Sequence, residues 1–331
     1  MRTPRLRHKV LLIALVSFLT VSGVAAIVRL QTGRPLAEPG LPAVVTASPA
    51  PALVSSNISP ETSEGAASPA SLSSSAEGQT ENEQQFEQAA QQNAELQNNL
   101  SWTFGGKQQK GWYLYIPLIR HLIGTESSPQ EAAFALALSR WQRSVGLPPN
   151  GVLDNTTLAV MITTWQSRRI KDKAYPSPDQ LVMIPTSDLY DPMRPEELRK
   201  AETEAYAAYK RMMAAAVADK SLKLAVTGSG ELAASEKYLK IVSAFRSREY
   251  QEQLRKQSPN AGRAGLAVNS PHFTGRALDL YVGGEPVSTE DSNRAIQVQT
   301  KVYLWLVKNA ERFGFRPYFY EPWHWEYVPN G

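Results

Sequence analysis

The stretch "SPHFTGRALDLYV", residues 270–282, places a histidine and an aspartate seven positions apart, at His272 and Asp279. A Thr-Gly turn lies between them, and "RALDLYV" has the aliphatic and aromatic residues that predict a β-strand. Successive side chains of a strand point to opposite faces, so its apolar residues can enter a core while Asp279 faces a cleft. The stretch therefore predicts a strand that presents an acid beside a histidine.

A second cluster, "EPWHWEYV" at residues 321–328, supplies another of the four histidines of the chain, His324, with Glu321 three positions before it. Two imidazoles and a carboxylate are a common ligand set of catalytic zinc sites. We therefore predict that His272, Asp279 and His324 hold a metal ion, and this ligand set favours Zn²⁺ over other divalent ions. Glu321 is the candidate general base that takes a proton from the attacking water and passes it to the leaving amine.

These two clusters resemble the signatures of the VanY-type D-alanyl-D-alanine carboxypeptidases, which are zinc peptidases. The first signature, Ser-x-His-x-x-Gly-x-Ala-x-Asp, is matched from Ser270 to Asp279. The second, Glu-x-Trp-His, is matched from Glu321 to His324. The resemblance covers roughly residues 188–331 and implies the hedgehog/carboxypeptidase fold.

A third signature of that family, Ser-Gly-Tyr-Arg-Ser followed by Gln, resembles "SAFRSREYQ" at residues 243–251, with Ala244 and Phe245 as conservative changes. The resemblance implies that Arg246 acts with Glu321 in catalysis, by binding the terminal carboxylate or the scissile carbonyl of the substrate. A guanidinium suits this because its planar set of donors matches a carboxylate. The candidate substrate-binding residues are Arg246, Ser270, Gln251, Ser243 and Trp323. Trp323 is included because it flanks a candidate ligand, and aromatic core packing is its alternative role.

Upstream, apolar residues at steps of three and four predict a helix at 129–145 and another that begins at Asp154 or Asn155. This segment resembles the second half of the peptidoglycan-binding domain 1 repeat. The matching residues are Trp141-Gln142, Gly146-Leu147, Asn150-Gly151 and Thr157-Leu158. The resemblance implies a small all-α domain at 101–172 that binds the glycan of peptidoglycan. The alternative is that these are core and turn residues of an ordinary helical domain.

The rest of the chain, residues 173–331, predicts a second domain in which helices and strands do not alternate strictly. The predicted elements are a helix from Pro195 to Ala218, a strand at 238–245, a helix at 247–257, a strand at 276–282, a helix at 300–314 and a strand at 324–328. Such a mixture predicts the α+β class.

The N-terminus, residues 1–33, has basic residues followed by an apolar run at 10–28, which is long enough to cross a bilayer of about 30 Å. It predicts either a membrane anchor or a signal peptide cleaved after Ala26. In both cases the remainder is predicted to be periplasmic or otherwise extracytoplasmic. Residues 34–100 are rich in Pro, Ala and Ser and then in Glu, Gln and Asn. They predict a disordered linker, with a short helix near 84–98 as an option.

Composition excludes several classes of protein. The net charge is +4 and no basic stripe is present, so nucleic acid is not an expected partner. The chain has no cysteine, which excludes disulfides, thiolate nucleophiles and cysteine-ligated zinc.

The VanY resemblance implies hydrolysis of the terminal D-alanyl-D-alanine bond of peptidoglycan stem peptides. The alternatives are an L,D-carboxypeptidase or a peptidoglycan endopeptidase of the same fold, and a non-catalytic cell-wall binding protein with a vestigial zinc site. Glu321 argues against the last alternative, because binding alone needs no base.

Overall fold

The computed structural model of the protein describes residues 70–258 and 266–329. The predicted membrane segment at 10–28 and the predicted linker up to residue 69 lie outside these ranges. Among the helices that are described, none combines the length and the apolar character needed to cross a membrane.

A four-stranded antiparallel sheet with the order β5-β6-β8-β7 organises the C-terminal part of the chain. Its strands are β5 (Ile241–Ser243), β6 (Ala277–Leu280), β7 (Phe315–Pro317) and β8 (His324–Tyr327). All residues of β6 and β8 are buried, so both faces of the sheet centre are covered. The strands predicted from 238–245, 276–282 and 324–328 are confirmed, with shorter bounds. β7 was not predicted.

The remaining elements combine helices with two small two-stranded antiparallel sheets, which is compatible with the predicted α+β class. The helices are α1 (Ala70–Asn99), α2 (Ile116–Ile123), α3 (Ala132–Ser144), α4 (Asn155–Ser167), α5 (Thr203–Ala218), α6 (Arg248–Gln257), α7 (Asp291–Gln297) and α8 (Lys301–Asn309). The outer strands are β1 (Ser101–Phe104), β2 (Lys107–Lys110), β3 (Leu181–Met183) and β4 (Lys200–Glu202).

Side-chain caps fix where several of these helices begin. Asp154 accepts a hydrogen bond from Thr157 N at 2.8 Å and so starts α4, as one of the two predicted caps would. Ser247 caps α6 and Thr300 caps α8 in the same way. Each cap satisfies a backbone N–H group that has no partner inside the helix.

Helix α5 corrects the prediction of one helix from Pro195 to Ala218. The helix begins at Thr203, where the Glu202 carboxylate accepts from Ala205 N at 2.7 Å. The residues before it form β4, which pairs with β3. Pairing with a distant strand therefore overrides the helical propensity of this segment.

Helix α1 corrects the C-terminal part of the linker prediction: residues 70–99 are helical, which is a longer helix than the option near 84–98. Ala89 and Ala90 are buried, which allows close packing against α3. Asn93 is fully buried, donates to Gly151 O at 2.8 Å and accepts from Leu153 N at 2.8 Å. The composition of this segment is polar, but a narrow stripe of small side chains and one paired amide are enough to dock it.

The β1–β2 hairpin corrects the expectation that residues 101–172 are all helical. Gly105 and Gly106 form its two-residue turn with φ angles of 59° and 79°. Two successive positive φ angles are typical of the type I′ turn, which matches the twist of an antiparallel hairpin.

The segment 101–172 and the sheet share one core, within a compact unit that spans Ala66–Gly331. The Trp165 ring stacks on Phe319 with centroids 5.8 Å apart, and Phe104 contacts the same ring edge-on at 4.7 Å. Arg294 donates to the Tyr115 hydroxyl at 3.1 Å. The predicted boundary between residues 172 and 173 therefore lies inside this unit.

The residues that resemble the peptidoglycan-binding repeat hold the loop between α3 and α4. The Gln142 amide donates to Asn150 Oδ1, Val152 O and Thr157 Oγ1 at 3.0 to 3.1 Å. Its oxygen accepts from Gly151 N at 2.8 Å. The side chain of Gln142 is buried, so its polar groups are used within the fold.

We expect Asn93→Ala to lower the free energy of unfolding by about 2–4 kcal/mol, because it leaves the Gly151 carbonyl and the Leu153 amide buried without partners. Asn98→Ala is the matched control, since Asn98 lies on the same helix with an exposed side chain. It should change stability by less than about 0.5 kcal/mol. Urea unfolding measures both. Equal stabilities of the two variants would contradict the docking of α1 through Asn93.

Candidate metal centre and active site

The pairing of β6 with β8 places Asp279 directly opposite His324. Facing residues of antiparallel strands have Cβ atoms about 5 Å apart, so side chains on the same face meet. The predicted strand geometry is therefore present, and it joins two side chains that are 45 residues apart in the sequence.

His272 comes from a short 3₁₀ helix, Pro271–Thr274, that leads into β6. Ser270 caps this turn by accepting from His272 N at 3.3 Å. Gly275 ends it with a φ of 69°, and a Cβ there would lie 2.8 Å from Glu202 N. Glycine is required for this close approach, and the tight turn brings His272 back over the strand that carries Asp279.

The three predicted ligands meet at one point. Ligand atoms of His272, Asp279 and His324 lie within 4.8 Å of one another. Asp279 Oδ1 is 3.3 Å from His272 Nε2 and 2.9 Å from His324 Nδ1. All three side chains are buried, at 3 % exposure or less.

In each histidine ring, the nitrogen that faces away from Asp279 already has a hydrogen-bond partner. His272 Nδ1 donates to the Ala244 carbonyl at 2.6 Å, and His324 Nε2 lies 3.1 Å from a carboxylate oxygen of Glu326. A carbonyl only accepts, so the Nδ1 atom of His272 carries the proton and its Nε2 lone pair faces Asp279. Histidine ligands of metals are oriented by this kind of outer hydrogen bond. The donor set and its supports therefore fit a metal ion such as zinc.

Charges around the site are set by burial and by neighbouring groups. Burial, aided by the Arg246 guanidinium, lowers the pKa of His272 to about 4 and keeps the ring neutral near pH 7. Burial alone would raise the pKa of Asp279, but His272 and Arg246 hold it well below its ordinary value. Burial would lower the pKa of His324, but hydrogen bonds to Asp279 and Glu326 raise it to about 9. Near pH 7 the metal-free protein therefore has an ionised Asp279 and a protonated His324, and a metal ion bound here would have to displace the proton on His324 Nδ1.

Glu321 lies next to this group. Its backbone oxygen accepts from His324 N at 2.9 Å, which closes a four-residue turn. Its Oε2 is 4.0 Å from His324 Nδ1. Burial raises the pKa of Glu321 to about 8. A carboxyl group with a pKa near neutrality, beside this His-Asp-His group, has the properties of a general acid and base.

Arg246 is directed at Asp279. One terminal nitrogen of its guanidinium forms an ion pair with Asp279 Oδ2. Its Nε donates to Ser243 Oγ at 2.9 Å, and the other terminal nitrogen lies 3.5 Å from Gln251 Oε1. Arg246 therefore orients the Asp279 carboxylate, and Ser243 and Gln251 orient Arg246.

The site opens into a cavity of about 850 Å³. Four of the predicted substrate-binding residues line it, namely Ser243, Arg246, Ser270 and Trp323. The three candidate ligands and Glu321 line it as well. The described lining does not include Gln251, which is buried behind Arg246.

Sequence reasoning missed one wall of this cavity, which comes from residues that precede the VanY-like region. The tip of the β1–β2 hairpin contributes Phe104, Gly105 and Lys107, the last turn of α4 contributes Gln166, and the segment after α4 contributes Arg169. The Gly-Gly pair at 105–106 is a signal for a hairpin, but no local pattern relates it to the cavity.

Glu326 was not among the predicted site residues. Its Oε1 accepts from Arg169 Nε at 2.8 Å, and its Oε2 accepts from Ile170 N at 2.8 Å. Burial would raise the pKa of Glu326, but His324 and Arg169 hold it at about 2. Glu326 is two positions after His324 in β8, so both side chains lie on the same face of the strand. This spacing is the sequence feature that could have identified Glu326 as a site residue.

Glu321 should make the metal-free protein less stable near neutral pH. The unfolded chain ionises this carboxyl near pH 4.5, whereas the folded protein holds its proton up to about pH 8. Stability is therefore lost as pH rises between these values. We expect metal-free Glu321→Gln to be more stable than the wild type at pH 7.5, by about 4 kcal/mol, and the difference to disappear near pH 4.5.

Urea unfolding of both proteins at the two pH values, with a metal chelator present, measures this difference. A Gln variant that is no more stable than the wild type at pH 7.5 would contradict the raised pKa of Glu321.

Comparison with known proteins agrees with this geometry. No curated protein matches the chain. Residues 198–330 match the family model of VanY, described as D-alanyl-D-alanine carboxypeptidase. The matched range contains His272, Asp279, Glu321 and His324, whereas Arg169 and the β1–β2 hairpin precede it. The sheet and its buried His-Asp-His group therefore belong to a VanY domain, and a peptidoglycan hydrolase activity of the carboxypeptidase type follows from that family.

Proposed function

We propose that this protein is a zinc-dependent D,D-carboxypeptidase that removes the terminal D-alanine from peptidoglycan stem peptides. The observation that supports this most strongly is the buried group of His272, Asp279 and His324 with Glu321 beside it. In each histidine ring the nitrogen that faces away from Asp279 is hydrogen-bonded to another group, so His272 Nε2 and His324 Nδ1 both point toward the Asp279 carboxylate. A structural core does not need such convergence of ionisable groups, whereas hydrolysis does.

His272, Asp279 and His324 would hold the zinc ion, which supplies Lewis-acid polarisation of the scissile carbonyl and activation of a water molecule when bound. Glu321 receives the proton of the attacking water on its carboxylate and delivers it to the nitrogen of the departing D-alanine.

Arg246 has two roles in this proposal. It holds Asp279 in the ionised state through their ion pair. It also lines the cavity, where a guanidinium can orient the carbonyl or the terminal carboxylate of a peptide. One guanidinium can pair with Asp279 and contact the substrate at the same time, because it has five N–H donors.

The charges of the cavity wall suit a substrate that ends in a free carboxylate. Among the described residues that line the cavity, basic side chains outnumber carboxylates by five to three. The basic ones are Lys107, Arg169, Lys173, Arg194 and Arg246, and the acidic ones are Asp279, Glu290 and Glu321. Such an excess attracts anionic ligands to the cleft.

An L,D-carboxypeptidase and an endopeptidase need the same four groups, so they remain the alternatives within the fold. A non-catalytic wall-binding protein is disfavoured by Glu321, since a buried carboxyl lowers stability without any benefit to binding. We further propose that residues 10–28 tether the protein outside the cytoplasmic membrane and that the segment 101–172 keeps it near glycan. The basic and apolar N-terminus and the resemblance to a peptidoglycan-binding repeat support these two proposals.

Glu321→Gln should lower the rate of D-alanine release from a pentapeptide substrate by about 10²–10⁴-fold while zinc stays bound, because it removes the proton acceptor but no ligand. Glu197→Gln is the control, as Glu197 is exposed. D-alanine release and zinc content are measured on the same preparations. Equal rates in wild type and Glu321→Gln would contradict the mechanism.

The second expectation concerns the bond that is cut. Incubation with isolated muropeptides should shorten pentapeptides by one D-alanine and leave tetrapeptides and cross-links intact, and a chelator should stop the reaction. Mass spectrometry of the products measures this. Shortening of tetrapeptides would support the L,D-carboxypeptidase instead, and cleavage of cross-links would support the endopeptidase.

A further inference from the structure

Arg169 lies directly after α4, in the segment that precedes the VanY domain, and it reaches Glu326 on β8. Its Nε and one terminal nitrogen both donate to Glu326 Oε1. The next residue, Ile170, donates its backbone N–H to Glu326 Oε2 at 2.8 Å. Both carboxylate oxygens are therefore held by one short piece of chain.

Glu326 in turn contacts His324, one of the three candidate ligands. Glu326 Oε1 lies 3.1 Å from His324 Nε2, on the side of the ring opposite to Asp279. The Glu326 side chain is fully buried. Because Arg169 Nε and Ile170 N hold its two oxygens, the carboxylate has a fixed position beside this ring.

Arg169 is itself fixed in place. One of its terminal nitrogens donates to Gln166 Oε1 at 2.9 Å, and its guanidinium stacks 3.8 Å from the centre of the Tyr318 ring. The Tyr318 ring meets the His324 ring edge-on, with centroids 5.8 Å apart. The arginine thus has a defined orientation with respect to the histidine as well as to the carboxylate.

We propose that Arg169 is a positioning residue of the metal centre, which holds Glu326 so that the Nδ1 atom of His324 faces the metal. The VanY domain at 198–330 does not contain this residue. The helical segment that precedes the domain therefore completes the metal centre, in addition to any contact with glycan. This inference rests on the zinc site of the proposed function.

A purely structural role makes a different prediction. If the Arg169–Glu326 contact only joins the helical segment to the sheet, its loss lowers the stability of the protein and leaves the zinc affinity of the folded molecules unchanged. Outer-shell partners of histidine ligands typically contribute about 10–100-fold to metal affinity. Zinc affinity, measured on folded protein, therefore separates the two roles.

The test compares the full-length wild type with Arg169→Ala, Arg169→Lys and Arg168→Ala. Arg168 is the matched control, because it is the neighbouring arginine, about half exposed, and pairs with Glu311 at 3.7 Å away from the site. Zinc dissociation constants are measured by competition with a chromophoric chelator, after circular dichroism has shown that each variant is folded. Thermal unfolding of the metal-free proteins is recorded in parallel.

We expect Arg169→Ala to bind zinc about 10–100-fold more weakly than the wild type. Arg169→Lys should lie between the two, because lysine restores the charge but not the paired donors. Arg168→Ala should match the wild type. Glu326→Gln should weaken zinc binding as well, and combining it with Arg169→Ala should add less than the sum of the two effects, because both act through one contact.

Zinc affinities of Arg169→Ala and wild type that agree within about twofold would overturn the proposal, whatever the change in stability. If Arg169→Ala does not fold, Arg169→Lys decides: weaker binding supports the proposal and unchanged binding overturns it. A wild-type protein that binds no zinc would instead overturn the proposed function, and the two failures are thereby distinguished.

Discussion

The antiparallel pairing of β6 with β8 is the constraint on which the site depends. It sets Asp279 opposite His324, and the tight turn at Gly275 returns His272 to the same place. A shift of the register by one residue would turn Asp279 to the other face of the sheet and separate the two side chains. The complete burial of both strands by apolar neighbours keeps this register fixed.

The cost of this arrangement is the burial of several ionisable groups, and each is offset by a particular partner. Arg246 pairs with Asp279, and Arg169 pairs with Glu326. Glu321 differs, because burial raises its pKa and its contact with a cationic group, His324 Nδ1, is long at 4.0 Å. This difference distinguishes Glu321, the proposed proton carrier, from the carboxylates that are held in direct ion pairs.

The sequence was sufficient to predict that His272, Asp279 and His324 lie together and to predict the strands that carry Asp279 and His324. Two of the four histidines fall in clusters with acids, and the strand alternation assigns the face of Asp279. It was not sufficient for contacts between distant segments. Helix α1 docks through Asn93, and no local pattern shows that Gly151 and Leu153 need this amide. The start of α5 depends on the pairing of β4 with β3, and the role of Arg169 depends on a residue 157 positions away.

The proposed hydrolase activity requires a metal ion between His272, Asp279 and His324. Anomalous X-ray diffraction recorded on either side of the zinc absorption edge, from crystals of protein purified with zinc, tests this directly. We predict one strong anomalous peak, bonded to His272 Nε2, Asp279 and His324 Nδ1, with the Glu321 carboxylate beside it. A metal peak elsewhere, or none between these three side chains at full zinc loading, would contradict the account.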